Sequence, residues 1–130
     1  MAHLFSHAGA PWLTQYWVRR IKKEVFGDIT PFGGYNGDED QGQMGALGVL
    51  MAIGLFDVQG GASTTPQYEI TSPIFDKITI QLDNRYYPGK EVVIETVNNS
   101  PKNVYIQRVS WNGVEPVSYT HLTLPTSDLV

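Results

Sequence analysis

Between Gln41 and Phe56 the chain carries no charged residue, and apolar residues fall on every side of a helix drawn through it. A helix of that composition is stable only when neighbours cover it all round. Gly45, Gly48 and Gly54 each lower its intrinsic helicity by up to about 1 kcal/mol, which is tolerable where other helices pack closely against bare backbone. The sequence supplies one other clear helix, over Ala10 to Phe26. Pro11 sits in its first turn, Leu13, Trp17, Ile21 and Val25 make an apolar stripe, and Gly27 is a stop. One neighbour cannot cover a helix that is apolar all round. The second helix therefore predicts a larger helical assembly of which this chain is a piece. It is also too short to cross a bilayer, which takes roughly 20 apolar residues.

Composition narrows the function classes. The 130 residues, 42% apolar and 17% charged, read as one globular domain and not as a disordered chain. A net charge of -4 argues against a nucleic-acid surface. The basic run Arg19, Arg20, Lys22, Lys23 reads as a solvated helix face. With no cysteine there is no disulfide and no thiolate metal site, and no leader pattern follows Met1.

After Gln59 the periodicity changes. A linker (Gly60, Gly61, Ser63, Thr64, Thr65, Pro66) gives way to short β-branched runs at Tyr68 to Thr71, Lys77 to Leu82, Lys90 to Val97 and Asn103 to Trp111. Ile78, Ile80 and Leu82 alternate onto one face. Asn112-Gly113 is a hairpin signal, with the returning strand expected from Val114. From Ser118 the pattern weakens, and 118–130 reads as a non-native tail.

The chemistry concentrates in one place. Asp38-Glu39-Asp40 closes a Gly-, Pro- and Asn-rich loop and opens the charge-free helix. Asp40 is expected at the N-cap, where the helix dipole favours an ionised carboxylate, as a general base requires. The alternative is purely structural: Asp40 with Gln43 matches a capping box. The oxygen spacing of an EF-hand calcium loop is missing. His3 and His7, four apart, suit a metal only weakly, since the metalloprotease pattern between them is absent. Trp12 is a candidate for stacking on a sugar ring.

Four segments, in order, resemble glycoside hydrolase family 92. They are His7-Ala8-Gly9-Ala10-Pro11-Trp12-Leu13-Thr14-Gln15, Gly37-Asp38-Glu39-Asp40-Gln41-Gly42-Gln43-Met44, Ile70-Thr71-Ser72-Pro73-Ile74-Phe75-Asp76-Lys77, and Asn103-Val104-Tyr105-Ile106-Gln107. The resemblance implies an exo-acting alpha-mannosidase built from a β-sandwich and an (α/α)6 barrel. It implies calcium-dependent, inverting hydrolysis of terminal mannose from glycans. By the same resemblance Asp40 is the general base and Asp38 the carboxylate that assists it, with Trp12 and Glu39 binding substrate. The general-acid Glu and the main calcium ligands are expected upstream, outside this sequence. Gly45-Ala46-Leu47-Gly48 departs from the family's commoner "SAWY".

The expected fold class is thus an α+β fragment. Residues 1–58 form late helices of the (α/α)6 catalytic domain, 59–117 form antiparallel strands closing it, and 118–130 is the tail. Expected partners are a mannose-containing glycan and the rest of the parent chain, with no nucleic acid and no membrane span. The implied location is periplasmic or extracellular. The competing reading is a non-catalytic carbohydrate-binding or structural β-module. If the second helix does lack neighbours, the isolated chain should unfold in urea over a broad, weakly cooperative range. A sharp two-state transition of a monomer would overturn the fragment reading.

Overall fold

A computed structural model describes residues 1–34 and 36–115, together with the backbone of 121–123. Pro11 sits at the start of α2 (Pro11–Glu24), where its missing N–H costs nothing and its fixed φ suits the first turn. A one-turn helix, α1 (Leu4–His7), precedes it and is tied to it by the Ser6 N–H and hydroxyl, both donating to the Thr14 hydroxyl oxygen at 3.0 Å.

The buried face of α2 is rotated from the expected stripe. Thr14, Gln15 and Val18 are buried, while Trp17 lies at the surface against Tyr16, with the Arg20 guanidinium 5.3 Å from the Trp17 ring. Ile21 and Val25 do reach the core. The displacement has a polar cause. Gln15 Oε1 accepts the Ile106 backbone N–H at 2.6 Å, and Thr14 accepts from Ser6. Two buried polar side chains with specific partners thereby displace apolar ones that pattern alone favours. The basic run is also less uniform than expected. Arg19 is half-buried and donates to Asn99 Oδ1 and the Ser100 carbonyl, both at 3.0 Å, and its burial lowers the guanidinium below its ordinary pKa.

α3 (Gln43–Ile53) is shorter than the predicted Gln41 to Phe56. Gly54 stops it in the left-handed region at φ 82°, and Leu55–Phe56 turn into strand β1. A Cβ at Gly54 would collide with the Thr71 carbonyl, so only glycine fits this crossing. Gly48 admits the Phe26 ring, 3.2 Å from where its Cβ would stand. The core formed this way joins Ala2, Val18, Phe26 and Met51. It covers one side of α3 only. Val49 is 58% exposed and Ala46 is also at the surface, so among the described residues the helix is not buried all round. The physical reason is the one its sequence anticipates, a shortage of helical neighbours.

The strand region forms two small antiparallel sheets. In one, β2 (Gln67–Ile70) lies between β1 and β5 (His121–Thr123), with Phe56 opposite Glu69 and Glu69 opposite His121. Apart from this three-residue strand, the 118–130 reading lies outside the described residues. The other sheet is the hairpin of β3 (Lys77–Gln81) and β4 (Glu91–Glu95), with Ile78 opposite Ile94 and Ile80 opposite Val92 on the expected face. That face borders a groove of about 1010 Å³ reaching Leu50 and Ile53 of α3.

Asn112 and Gly113 turn with φ 49° and 81°, and Trp111 and Val114 exchange both backbone hydrogen bonds, as the hairpin signal predicts. The preceding run, Asn103 to Trp111, is not a strand. It has the β-branched composition, but among the described residues no strand pairs with it before the Trp111 bridge, and the Ile106 N–H donates to a helix side chain instead.

The two halves meet at Glu69. This carboxylate is 2% exposed; His7 Nε2 lies 2.7 Å from its Oε1 in a hydrogen bond. His3 Nδ1 is 3.2 Å from Oε2, off the hydrogen-bond line, with the His3 ring stacked 4.0 Å from Phe56. Glu69→Ala should strip both imidazoles of their anchor and cost about 1–3 kcal/mol locally. Hydrogen exchange at Ala10, whose N–H is bonded to the Phe5 carbonyl, should accelerate accordingly. Unchanged exchange would show that α1 docks without Glu69.

Candidate functional site

The chain enters α3 through an uncommon backbone. Asp40, Gln41 and Gly42 run consecutively left-handed, at φ 51°, 64° and 88°. Such a conformation costs roughly 1–2 kcal/mol for a residue with a Cβ, less for Asp, so it has to be held in place. Hydrogen bonds to the helix's first amides hold it. Gln43 N–H donates to the Asp40 carbonyl at 3.3 Å, and Met44 N–H to the Glu39 carbonyl at 3.3 Å. Gly45 N–H donates to Glu39 Oε1 at 3.0 Å. These are the donors that a helix start leaves without intrahelical partners.

The N-cap is therefore Gly42, not Asp40, and no side chain at the N-cap position makes a cap bond. The capping box expected between Asp40 and Gln43 does not form. The left-handed run carries Asp40 two residues out of the cap, and Glu39 does the capping from further back. Asp38 and Asp40 are both exposed, and neither carboxylate takes part in a hydrogen bond or ion pair among the described residues. Glu39 is half-buried, and its Oε2 is buried without a hydrogen-bond partner.

The acidic trio is thus divided: two carboxylates face solvent on either side of one turned into the helix start. Trp12, in the first turn of α2, is 55% exposed, and no hydrogen bond, ion pair or ring contact among the described residues joins it to the trio. A cleft of about 790 Å³ lies between the loop after α2 and the outer side of α3, lined by Lys22, Asp28, Val49, Ile74 and Phe75 among others. It reaches the acidic segment at Gly37 and Gly45, and the three carboxylates are not part of its wall.

His3 and His7 do converge, on Glu69. Glu69 has no counterpart in the sequence expectations. Its one signal is a charge at an inward position of a short strand between Tyr68 and Ile70. Among the described residues no group of three or more His, Cys, Asp or Glu could hold a metal ion.

With the geometry in hand, comparison with known proteins adds one match. The family model described as the glycosyl hydrolase family 92 catalytic domain matches residues 1–129. No curated protein matches the chain.

The division of labour in the trio has a direct consequence for stability. Asp40→Asn should leave α3 intact, since the Asp40 side chain caps nothing and Asn tolerates the left-handed region. Glu39→Ala should cost about 1 kcal/mol, the usual worth of a side-chain cap. Amide exchange along Gly45 and Ala46 separates the two, and equal loss in both variants would contradict the assignment.

Proposed function

The chain belongs to glycosyl hydrolase family 92, and we propose that it is the C-terminal part of the catalytic domain of an exo-acting, inverting alpha-mannosidase. Membership makes the parent a glycoside hydrolase acting on glycans. The finer reading takes Asp40 as general base and Asp38 as its assistant. The single observation that supports it is that both carboxylates stand exposed and unengaged while Glu39 does the structural work at the helix start. The capping alternative loses its hydrogen bond; the base reading loses the N-cap position expected for Asp40 but keeps an exposed, unengaged carboxylate.

In this mechanism Asp40 removes a proton from a water held on the far face of the terminal mannose. The water attacks the anomeric carbon, and the leaving oxygen is protonated by a carboxylic acid from another part of the parent. Inverting sites keep the two carboxyl groups roughly 6.5–9.5 Å apart, leaving room for that water. Asp38, two residues away and also exposed, is the proposed assisting carboxylate. Trp12 is the proposed stacking surface for a sugar ring, supported by its exposure.

Calcium, implied by the family resemblance, takes six to eight oxygen ligands. Among the described residues no group of three or more His, Cys, Asp or Glu could hold a metal ion, and the main ligands would come from elsewhere in the parent. The same reading places α2 and α3 among the late helices of an (α/α)6 barrel. The uncovered side of α3 supports this, because it needs helical neighbours. The proposed partners are a mannose-containing glycan and the remainder of the parent, exported to the periplasm or beyond. No helix among the described residues is long and apolar enough to cross a membrane.

Asp40→Asn in the full-length parent tests the base assignment. It keeps size and backbone preference and removes the basic oxygen. Turnover of a terminal alpha-mannoside should fall by roughly 10²–10⁴, the usual worth of a positioned base, with the unfolding midpoint nearly unchanged. Near-normal turnover would remove Asp40 from the mechanism and move the assignment to Asp38.

A further inference from the structure

We propose that Glu39 is a positioning residue: it fixes the acidic loop on the start of α3 and so sets where the Asp40 carboxylate points. The proposal rests on the reading of Asp40 as the base and departs from the expectation that Glu39 binds substrate.

The first ground is geometric. One Glu39 oxygen accepts the Gly45 N–H at 3.0 Å, and its own carbonyl accepts the Met44 N–H at 3.3 Å. The residue therefore grips the helix by both side chain and backbone, at two adjacent amides of its first turn. The second ground is burial. Oε2 is buried and unpartnered, so the carboxylate is not offered to solvent as its two neighbours are.

The third ground is strain. Asp40 and Gln41 are left-handed with side chains attached, a conformation that persists only where the surroundings over-determine it. The constraint nearest to them is the Glu39 clasp on one side and the Gln43 N–H bond to the Asp40 carbonyl on the other. Releasing the clasp lets the segment relax toward ordinary helical or extended dihedrals, and the Asp40 side chain then swings. A base displaced by about 1 Å loses on the order of 10²-fold in rate, without any change in the groups that bind sugar.

A substrate-binding Glu39 and a positioning Glu39 therefore predict different kinetics. Loss of a ground-state sugar contact raises KM, whereas loss of alignment lowers kcat. In the full-length parent, Glu39→Ala should lower kcat by about ten- to a hundred-fold, with KM little changed. Glu39→Gln retains an oxygen that accepts the Gly45 N–H and should recover most of kcat. Gly45 amide exchange should be fast in Glu39→Ala and slow in Glu39→Gln. A rise in KM with unchanged kcat in both variants would overturn the proposal in favour of sugar binding. So would a Glu39→Gln variant as slow as Glu39→Ala, or Gly45 protection that ignores Glu39→Ala. The Asp40→Asn variant is run beside them. Normal turnover there removes the base from Asp40 alone, while Gly45 exchange and the kcat of Glu39→Ala still decide whether Glu39 anchors the loop.

Discussion

A carboxylate taken out of water must find donors or positive charge, or its burial works against the fold. Glu69 is that case here, and much of the arrangement depends on how it is met. Its hydrogen-bond partner comes from the far end of the chain, His7 at the end of α1, with His3 just before it 3.2 Å from the other oxygen. Because Glu69 lies in the middle strand of its sheet, the contact fixes the amino-terminal helical segment against the strand region. Phe56, opposite Glu69 in the register, stacks on His3 and seals the contact from one side. An apolar residue at 69 would pack there without choosing a partner. The carboxylate chooses, since only donors satisfy it. Specificity of docking, more than net stability, is what a buried pair of this kind can contribute.

α3 shows the opposite kind of constraint. Nothing in it chooses a partner by charge, so its packing is decided by shape: Phe26 in the gap at Gly48 and the Thr71 carbonyl against Gly54. Those two contacts determine which side is covered. The side bearing Ala46 and Val49 is left open, and Ile74 and Phe75, both well exposed, lie along the same cleft. This uncovered apolar surface is what the proposal of further helical neighbours from the parent rests on.

The two longer helices, the Asn112-Gly113 turn and the alternating face of β3 were legible because each follows from local periodicity or local dihedral preference. What was not legible depended on partners distant in sequence. Thr14 and Gln15 are buried because Ser6 and Ile106 meet them, and no hydrophobic stripe records that. Asn103 to Trp111 has strand composition, but a strand also needs an edge, and composition does not say whether one is available. The acidic loop was legible as a motif, since three adjacent carboxylates before an apolar helix attract notice on chemical grounds alone. Its internal roles were not. N-cap assignment from sequence presumes an ordinary approach to the first turn, and the left-handed run at Asp40 to Gly42 shifts every side chain relative to that presumption.

That run also bears on why the site has three acids where catalysis by the proposed mechanism uses two. A loop of exposed carboxylates repels itself, and a helix start with unmet amides attracts whichever carboxylate can reach it. Without a dedicated partner for those amides, Asp38 or Asp40 would be drawn in and lose its free oxygen. Glu39, one methylene longer than its neighbours, reaches Gly45 and occupies the place. Its carbonyl and that of Asp40 take the next two donors, leaving the helix start without a claim on the remaining side chains. Three charges in a row are therefore not redundancy. The middle one satisfies the helix, and the outer two stay exposed and unengaged, as the proposed mechanism needs them.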